Sequence, residues 1–189
     1  MANKTISDWK VGTRCNLVPN FPLLLCCALM LVQCETNAQK PSKYYVTYTQ
    51  PDGSLYFIQP QTVFSNPETK TDFILDVTYL NSKDSATFSF TFFDKDDLNL
   101  ETITVAYGDW QYQSTVKRIY VDGEKKLWRF RYTFNIPFDQ LVRFYRAKEP
   151  VITLTTDTAR AIPIKTTKQW GKNAEINQKI MQIIQINKQ

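Results

Sequence analysis

Residues 114–134 read STVKRIYVDGEKKLWRFRYTF. In the second half Trp128, Phe130, Tyr132 and Phe134 alternate with Arg129, Arg131 and Thr133. That period of two puts one apolar and one polar face on a single strand. The first half is rich in β-branched and aromatic residues, and Asp122-Gly123 stands between the halves as a tight-turn signal, because both residues tolerate positive φ. The expectation is a hairpin of two antiparallel strands, 114–121 and 125–134, turning at Asp122-Gly123.

The same alternation extends in both directions. Strands are predicted over 44–50 and 55–59, flanking Pro51-Asp52-Gly53-Ser54, a turn whose glycine can take positive φ. Over 71–80, Phe73, Leu75, Val77 and Tyr79 share one face, with Asp72, Ile74, Asp76 and Thr78 on the other. Residues 86–93 repeat the pattern with Phe88, Phe90 and Phe92, and 100–107 with Ile103, Val105 and Tyr107. A short helix is predicted over 138–147, with Leu141, Val142, Phe144 and Tyr145 apolar, ending before Pro150. A last hairpin follows over 151–155 and 161–165. The tail from Lys168 sets Ile176, Ile180, Ile183 and Ile184 at helical spacing.

Many short strands with turn signals about every ten residues predict an all-β protein. The expected architecture is an antiparallel β-sandwich, Ig-like or jelly-roll-like, with a short helix and a C-terminal amphipathic helix. A membrane barrel fits less well, since several predicted strands fall short of the roughly 9–11 residues that a span needs. The expected organisation is an export signal peptide over 1–38, the β-sandwich over 39–166, and a helix over 167–189 packed on it.

The leader reading rests on FPLLLCCALMLVQCETNAQK, residues 21–40. Its apolar run is too short for a transmembrane helix, which takes roughly 20 residues. Lys4, Lys10 and Arg14 supply a positive n-region, and Thr36-Asn37-Ala38 places small residues at −3 and −1 before Gln39, so cleavage after Ala38 is expected. Leu31-Val32-Gln33-Cys34 offers an alternative, a lipobox in which Cys34 is lipidated, although Gln33 replaces the usual small residue. The Asn-Ala-Gln ending resembles the export signals of small envelope proteins from Bacteroidota-type bacteria. That resemblance covers the leader alone and implies a periplasmic or secreted address, or alternatively a lipid anchor.

Composition removes whole classes of chemistry. The chain has no histidine, so the commonest general base and metal ligand is missing, and with it the usual triads and histidine-bearing zinc sites. The cysteines, Cys15, Cys26, Cys27 and Cys34, all lie in the leader, leaving a mature chain without disulfides or thiolates. Gly53, Gly108, Gly123 and Gly171 are scattered, which excludes phosphate-cradling loops and dinucleotide fingerprints.

Charge is divided along the chain, acidic over 52–109 and basic over 111–148. Cross-strand pairing is the plainer account of this division, and a basic patch for an anionic partner is the other. The partners expected are an anionic glycan, a lipid headgroup or another envelope protein. Nucleic acid and a transmembrane span in the mature protein are not expected. Trp110, Tyr112, Arg129 and Arg131 are the ligand-binding candidates, since aromatic faces and guanidinium groups suit sugars and anions.

Asp94, Asp96, Asp97 and Glu101 cluster as oxygen donors, the material for a calcium site or for an acidic, solvated turn. Calcium is the one cofactor considered, and otherwise none is expected. The same carboxylates are the only material for a glycosidase-like pair, which requires two of them about 5–9.5 Å apart. Ser114-Thr115-Val116-Lys117 matches a Ser-x-x-Lys pattern, but on a strand positions three apart face opposite ways. The expected function is therefore binding or assembly by an exported, non-enzymatic protein, with a carbohydrate-active enzyme as the alternative. Intact mass of the protein from its own cells checks the address: a chain starting at Gln39 is expected, and an acylated Cys34 would establish the lipoprotein instead.

Overall fold

The computed structural model describes residues 43–124 and 126–188, so the leader, Cys34 and the cleavage site lie outside the described residues. Alternation has become strand wherever it is strong. The elements are β1 (Tyr45–Gln50), β2 (Gly53–Asn66), β3 (Thr71–Leu80), β4 (Ser85–Asp94), β5 (Leu100–Tyr107), β6 (Trp110–Thr115), β7 (Lys117–Glu124) and β8 (Leu127–Pro137), followed by α1 (Phe138–Arg146), β9 (Val151–Thr156), β10 (Ala161–Thr166) and α2 (Trp170–Ile186). Every strand pairing is antiparallel. The all-β antiparallel class read from the sequence is therefore the class of the structure.

All ten strands belong to one sheet, in the order β6-β5-β9-β10-β2-β3-β4-β8-β7, with β1 beside β2. Its two end strands are neighbours in sequence, separated by Val116, whose N–H donates to the Glu101 carbonyl at 3.1 Å. One stretch of chain thus supplies both edges, and the sheet winds round until it nearly closes. Side chains bridge the seam. Trp110 Nε1 donates to Gln140 Oε1 at 2.8 Å, and the Tyr112 hydroxyl donates to the Asn135 carbonyl at 2.9 Å.

Winding a sheet leaves an interior that side chains must fill. Here the filling is aromatic. Phe88, Phe90 and Phe92 on β4 stand directly opposite Phe134, Tyr132 and Phe130 on β8, with ring centroids 4.9, 5.9 and 5.0 Å apart. Cross-strand aromatic pairs of this kind contribute about 0.5–1.5 kcal/mol each beyond their buried area. From α1, Phe144 reaches Phe64 and Phe88 at 6.1 and 5.5 Å, and Trp170 of α2 completes the group at 5.0 Å from Phe64.

The buried face of the C-terminal helix is rotated from the isoleucine stripe. Trp170, Ala174, Ile180, Met181 and Ile184 are buried, with Ile176 only partly covered and Ile183 exposed. A polar pair sets the rotation. Asn177, fully buried, exchanges two amide hydrogen bonds with Gln61, at 2.9 and 3.1 Å. Trp170 Nε1 also donates to the Ala147 carbonyl at 3.0 Å, so α2 is tied to the end of α1.

Three local readings differ from the structure. The hairpin does not turn at Asp122-Gly123: those residues pair with Arg129 and Trp128, and the last pair before the turn is Glu124 with Leu127. Gly53 and Gly108 have positive φ and Gly123 does not. The Trp128 ring packs beside Gly123, 3.7 Å from where a Cβ would stand, an ordinary contact distance. Second, the predicted strand over 114–121 is divided at Val116, and β6 starts earlier, after a tight turn at Gly108, whose φ is +57°. Third, β2 runs past Pro60 to Asn66, because the ladder to β3 is irregular between Ile58 and Gln61, where a residue lacking an N–H is tolerated.

The amide pair generates a test. Asn177→Ala strands the buried Gln61 amide and should cost about 1–2 kcal/mol in urea unfolding, whereas the double change to leucine at both positions should cost measurably less than the sum of the single changes.

Candidate functional site

With the inward residues committed to the core, the outward face of β3, β4 and β8 carries the polar chemistry. Asp76 is the deepest of these groups, its side chain 4% exposed, and Arg131 covers it with Nη2 at 2.7 Å from Oδ2. Arg131 Nη1 also donates to Thr91 Oγ1 at 3.1 Å. Thr91 is the β4 partner of Arg131, and Ser89 is the partner of Asp76. The acidic and basic halves of the chain therefore meet here across β4, which lies between β3 and β8. Arg129 makes a second ion pair, within the basic half, with Nη2 at 2.8 Å from Asp122 Oδ2 and its guanidinium 5.7 Å from the Tyr120 ring centroid.

Further along this face the sheet opens into a groove of about 710 Å³, lined by Lys70, Thr71, Asp72, Ile74, Phe93, Lys126 and Leu127. Ile74, Phe93 and Leu127 give it an apolar lining. Lys70 comes from the β2–β3 turn, where its φ is +55°, and Lys126 comes from the β7–β8 turn. The Lys70 turn is fastened to β4 by Thr69, whose hydroxyl donates to the Phe93 carbonyl at 3.4 Å and shares a 2.7 Å hydrogen bond with Thr71. Arg129 stands directly opposite Phe93 in the β4–β8 register. The groove thus joins three apolar side chains to two lysines and one aspartate, a lining with apolar area and a net positive charge side by side.

The four ligand-binding candidates do not converge. Arg129 and Arg131 point outward from β8, whereas Trp110 and Tyr112 are half-buried against the core and hydrogen-bonded across the seam. Lys70 and Lys126 were missed in the sequence because each sits in a turn, where nothing in the local pattern announces which sheet face it will border.

The acidic loop is organised by a residue that the sequence did not single out. Arg160, in the β9–β10 turn, places Nη1 3.1 Å from Asp96 Oδ2 and Nη2 3.1 Å from Glu68 Oε2 and 3.5 Å from Asp94 Oδ2. Burial works against its charge, but the hydrogen bond to Glu68 and the charges of Asp94, Glu68 and Asp96 outweigh it and hold the guanidinium above its already high ordinary value. Asp94 is buried, and its Oδ1 accepts the Asp96 N–H at 3.1 Å. Asp97 and Glu101 are exposed. The loop is fixed from below by Tyr132, whose hydroxyl accepts the Leu100 N–H at 3.0 Å. Among the described residues no group of three or more aspartate, glutamate, histidine or cysteine side chains is placed to hold a metal ion.

Comparison of the chain with models of protein families, with curated proteins and with solved structures finds no match. The class is accordingly defined by the structure itself. Among the described residues it is an antiparallel β protein whose ten-stranded sheet winds nearly closed around an aromatic core, with two helices and, on its outer face, an apolar-lined groove bordered by Lys70, Lys126 and Asp72.

Removing the cation from Asp76 tests the outward-face network. Arg131→Ala should destabilise the fold by about 3 kcal/mol, since it leaves a buried carboxylate unpaired, and Asp76→Ala in the same chain should recover most of that loss in denaturant titrations.

Proposed function

We propose that this is an exported, non-enzymatic protein of the cell envelope that works by binding an anionic amphiphile, with its headgroup between Lys70 and Lys126 and its apolar part on Ile74, Phe93 and Leu127. The observation that carries the proposal is the groove itself, in which apolar area and positive charge are adjacent and open to solvent. Pockets of a few hundred cubic ångströms with a mostly apolar lining and a few placed polar groups are the usual form of a small-molecule site. Arg129, opposite Phe93, stands on the same face of the sheet, its guanidinium engaged by Asp122. The export reading is supported by the leader sequence. The non-enzymatic reading is supported by the missing histidine and by the state of the carboxylates near residues 94–101, where one guanidinium stands between Asp94, Asp96 and Glu68. A glycosidase pair needs that space for substrate and water.

We further infer that the wound sheet is flattened, so that β5, β6, β9 and β10 face β2, β3, β4 and β8 as the two layers of a sandwich. Ile103, Leu154 and Ile164 from the first group share one core with Phe73, Phe90 and Phe130 from the second, which supports this layering.

Calorimetric titration with monomeric lysophosphatidylglycerol and its zwitterionic choline counterpart tests the binding. The anionic amphiphile should bind more tightly, and Lys70→Glu with Lys126→Glu should weaken it by about tenfold or more, the scale of two lost charge-assisted contacts. Equal binding of both amphiphiles, or of wild type and variant, would remove the groove from consideration.

A further inference from the structure

Two strands share the edge of β2 that faces away from β3, and they cover different parts of it. β1 pairs with Gly53 to Ile58, and one further bond follows, from the Gln59 N–H to the Tyr44 carbonyl at 2.9 Å. β10 pairs with Phe64 and Ser65, and the Thr167 N–H donates to the Val63 carbonyl at 2.9 Å. Between these ladders no strand among the described residues pairs with Pro60, Gln61 or Thr62 on that edge. Pro60 helps to interrupt it, because a residue without an N–H cannot carry a ladder on. The interruption is a cavity of about 550 Å³, walled by residues 59–62 on one side and by Lys43 and the start of α2 on the other.

Three lysines line this cavity, Lys43 before β1, Lys168 before α2 and Lys172 in the first turn of α2, and no carboxylate joins them. Among the described residues none of the three takes part in an ion pair. Lys43 lies over the Tyr44 ring, 5.8 Å from its centroid. Lys172 stands where helices favour acidic side chains, and α2 has none in its first turn. Like charges gathered in a concave site without a counter-charge repel one another and focus positive potential there, which an anion relieves.

The uncharged lining narrows the class of anion. Gln59, Thr62 and Gln169 offer amide and hydroxyl groups beside the lysines. Gln61 is held by Asn177, so the wall between β2 and α2 is tied in place. Apart from Pro60 and the Tyr44 ring the lining is polar, which leaves an acyl chain little to rest on. A saccharide presents hydroxyls to the amides, and its carboxylates or sulfates meet the ammonium groups. We infer that this cavity binds an acidic oligosaccharide, with its anionic groups on Lys43, Lys168 and Lys172 and its hydroxyls on Gln59, Thr62 and Gln169. The site shares no residue with the groove assigned to the amphiphile, so each stands or falls alone.

Calorimetric titration with tetragalacturonate, its fully methyl-esterified form and a heparin-derived tetrasaccharide reads the site. Both acidic ligands should bind, and the ester, which keeps the ring hydroxyls and loses the charges, should bind about tenfold or more weakly than the acid. Lys43→Gln, Lys168→Gln and Lys172→Gln combined should weaken the acidic ligands by about tenfold or more. Lys83→Gln, Lys95→Gln and Lys117→Gln combined remove as many exposed charges elsewhere and should change binding by less than about twofold. Far-UV circular dichroism and thermal melting verify that both triple variants are folded. Failure of both acidic ligands to bind overturns the inference. Equal binding of acid and ester does the same, as does equal binding by the two triple variants.

Discussion

The aromatic ladder between β4 and β8 is the interaction on which the rest of the molecule depends. With Phe88, Phe90 and Phe92 set against Phe134, Tyr132 and Phe130, neither strand can slip by one residue without moving its three rings to the solvent side. Once that register is fixed, the outward face is fixed as well. Arg131 falls beside Thr91 and over Asp76, and Arg129 falls beside Phe93, which lines the groove. The ladder also places Trp128 over Gly123, and the turn of the β7–β8 hairpin follows from that.

The hairpin shows how far local signals reach. Asp122-Gly123 has the chemistry of a tight turn, and the alternation of Trp128, Phe130, Tyr132 and Phe134 has the chemistry of a buried strand face. The two make compatible claims in the sequence and incompatible ones in space. The rings prevail, because moving them costs far more than using a glycine in extended backbone. The strand class, most strand positions and both helices were legible because period two and period 3.6 are local properties. The closure at Val116 was not, since it depends on β5 and β8 approaching from opposite ends of the sheet. Nor was the rotation of α2, which is set by the Asn177–Gln61 amide pair between residues far apart in the chain.

Charge division along the chain is bridged in space by pairing where Asp76 meets Arg131, while Asp122 and Arg129 pair within the basic half. The acidic loop was satisfied from outside the basic half, by Arg160. What this pairing leaves over is informative. Lys70 and Lys126 were invisible as a pair because one follows β2 and the other precedes β8, and only the sheet brings their turns to the same groove.

The position of the β9–β10 hairpin between β5 and β2 has a consequence for the order of assembly. Most pairings in this sheet join neighbours in sequence, including both halves of the closing segment, β5 with β6 and β7 with β8. The exceptions are β4 with β8, β5 with β9 and β10 with β2, of which the last spans most of the described chain, as in Lys165 against Ser65. Hairpins that close short loops form early, and pairings that close long ones bear the larger loss of chain entropy. A chain emerging from its N-terminus therefore carries a half-built sheet with β2 and β5 open until residue 166 has appeared. The C-terminal hairpin is the keystone, and the time between the first strand and the last is the time this protein must be kept from pairing with anything else.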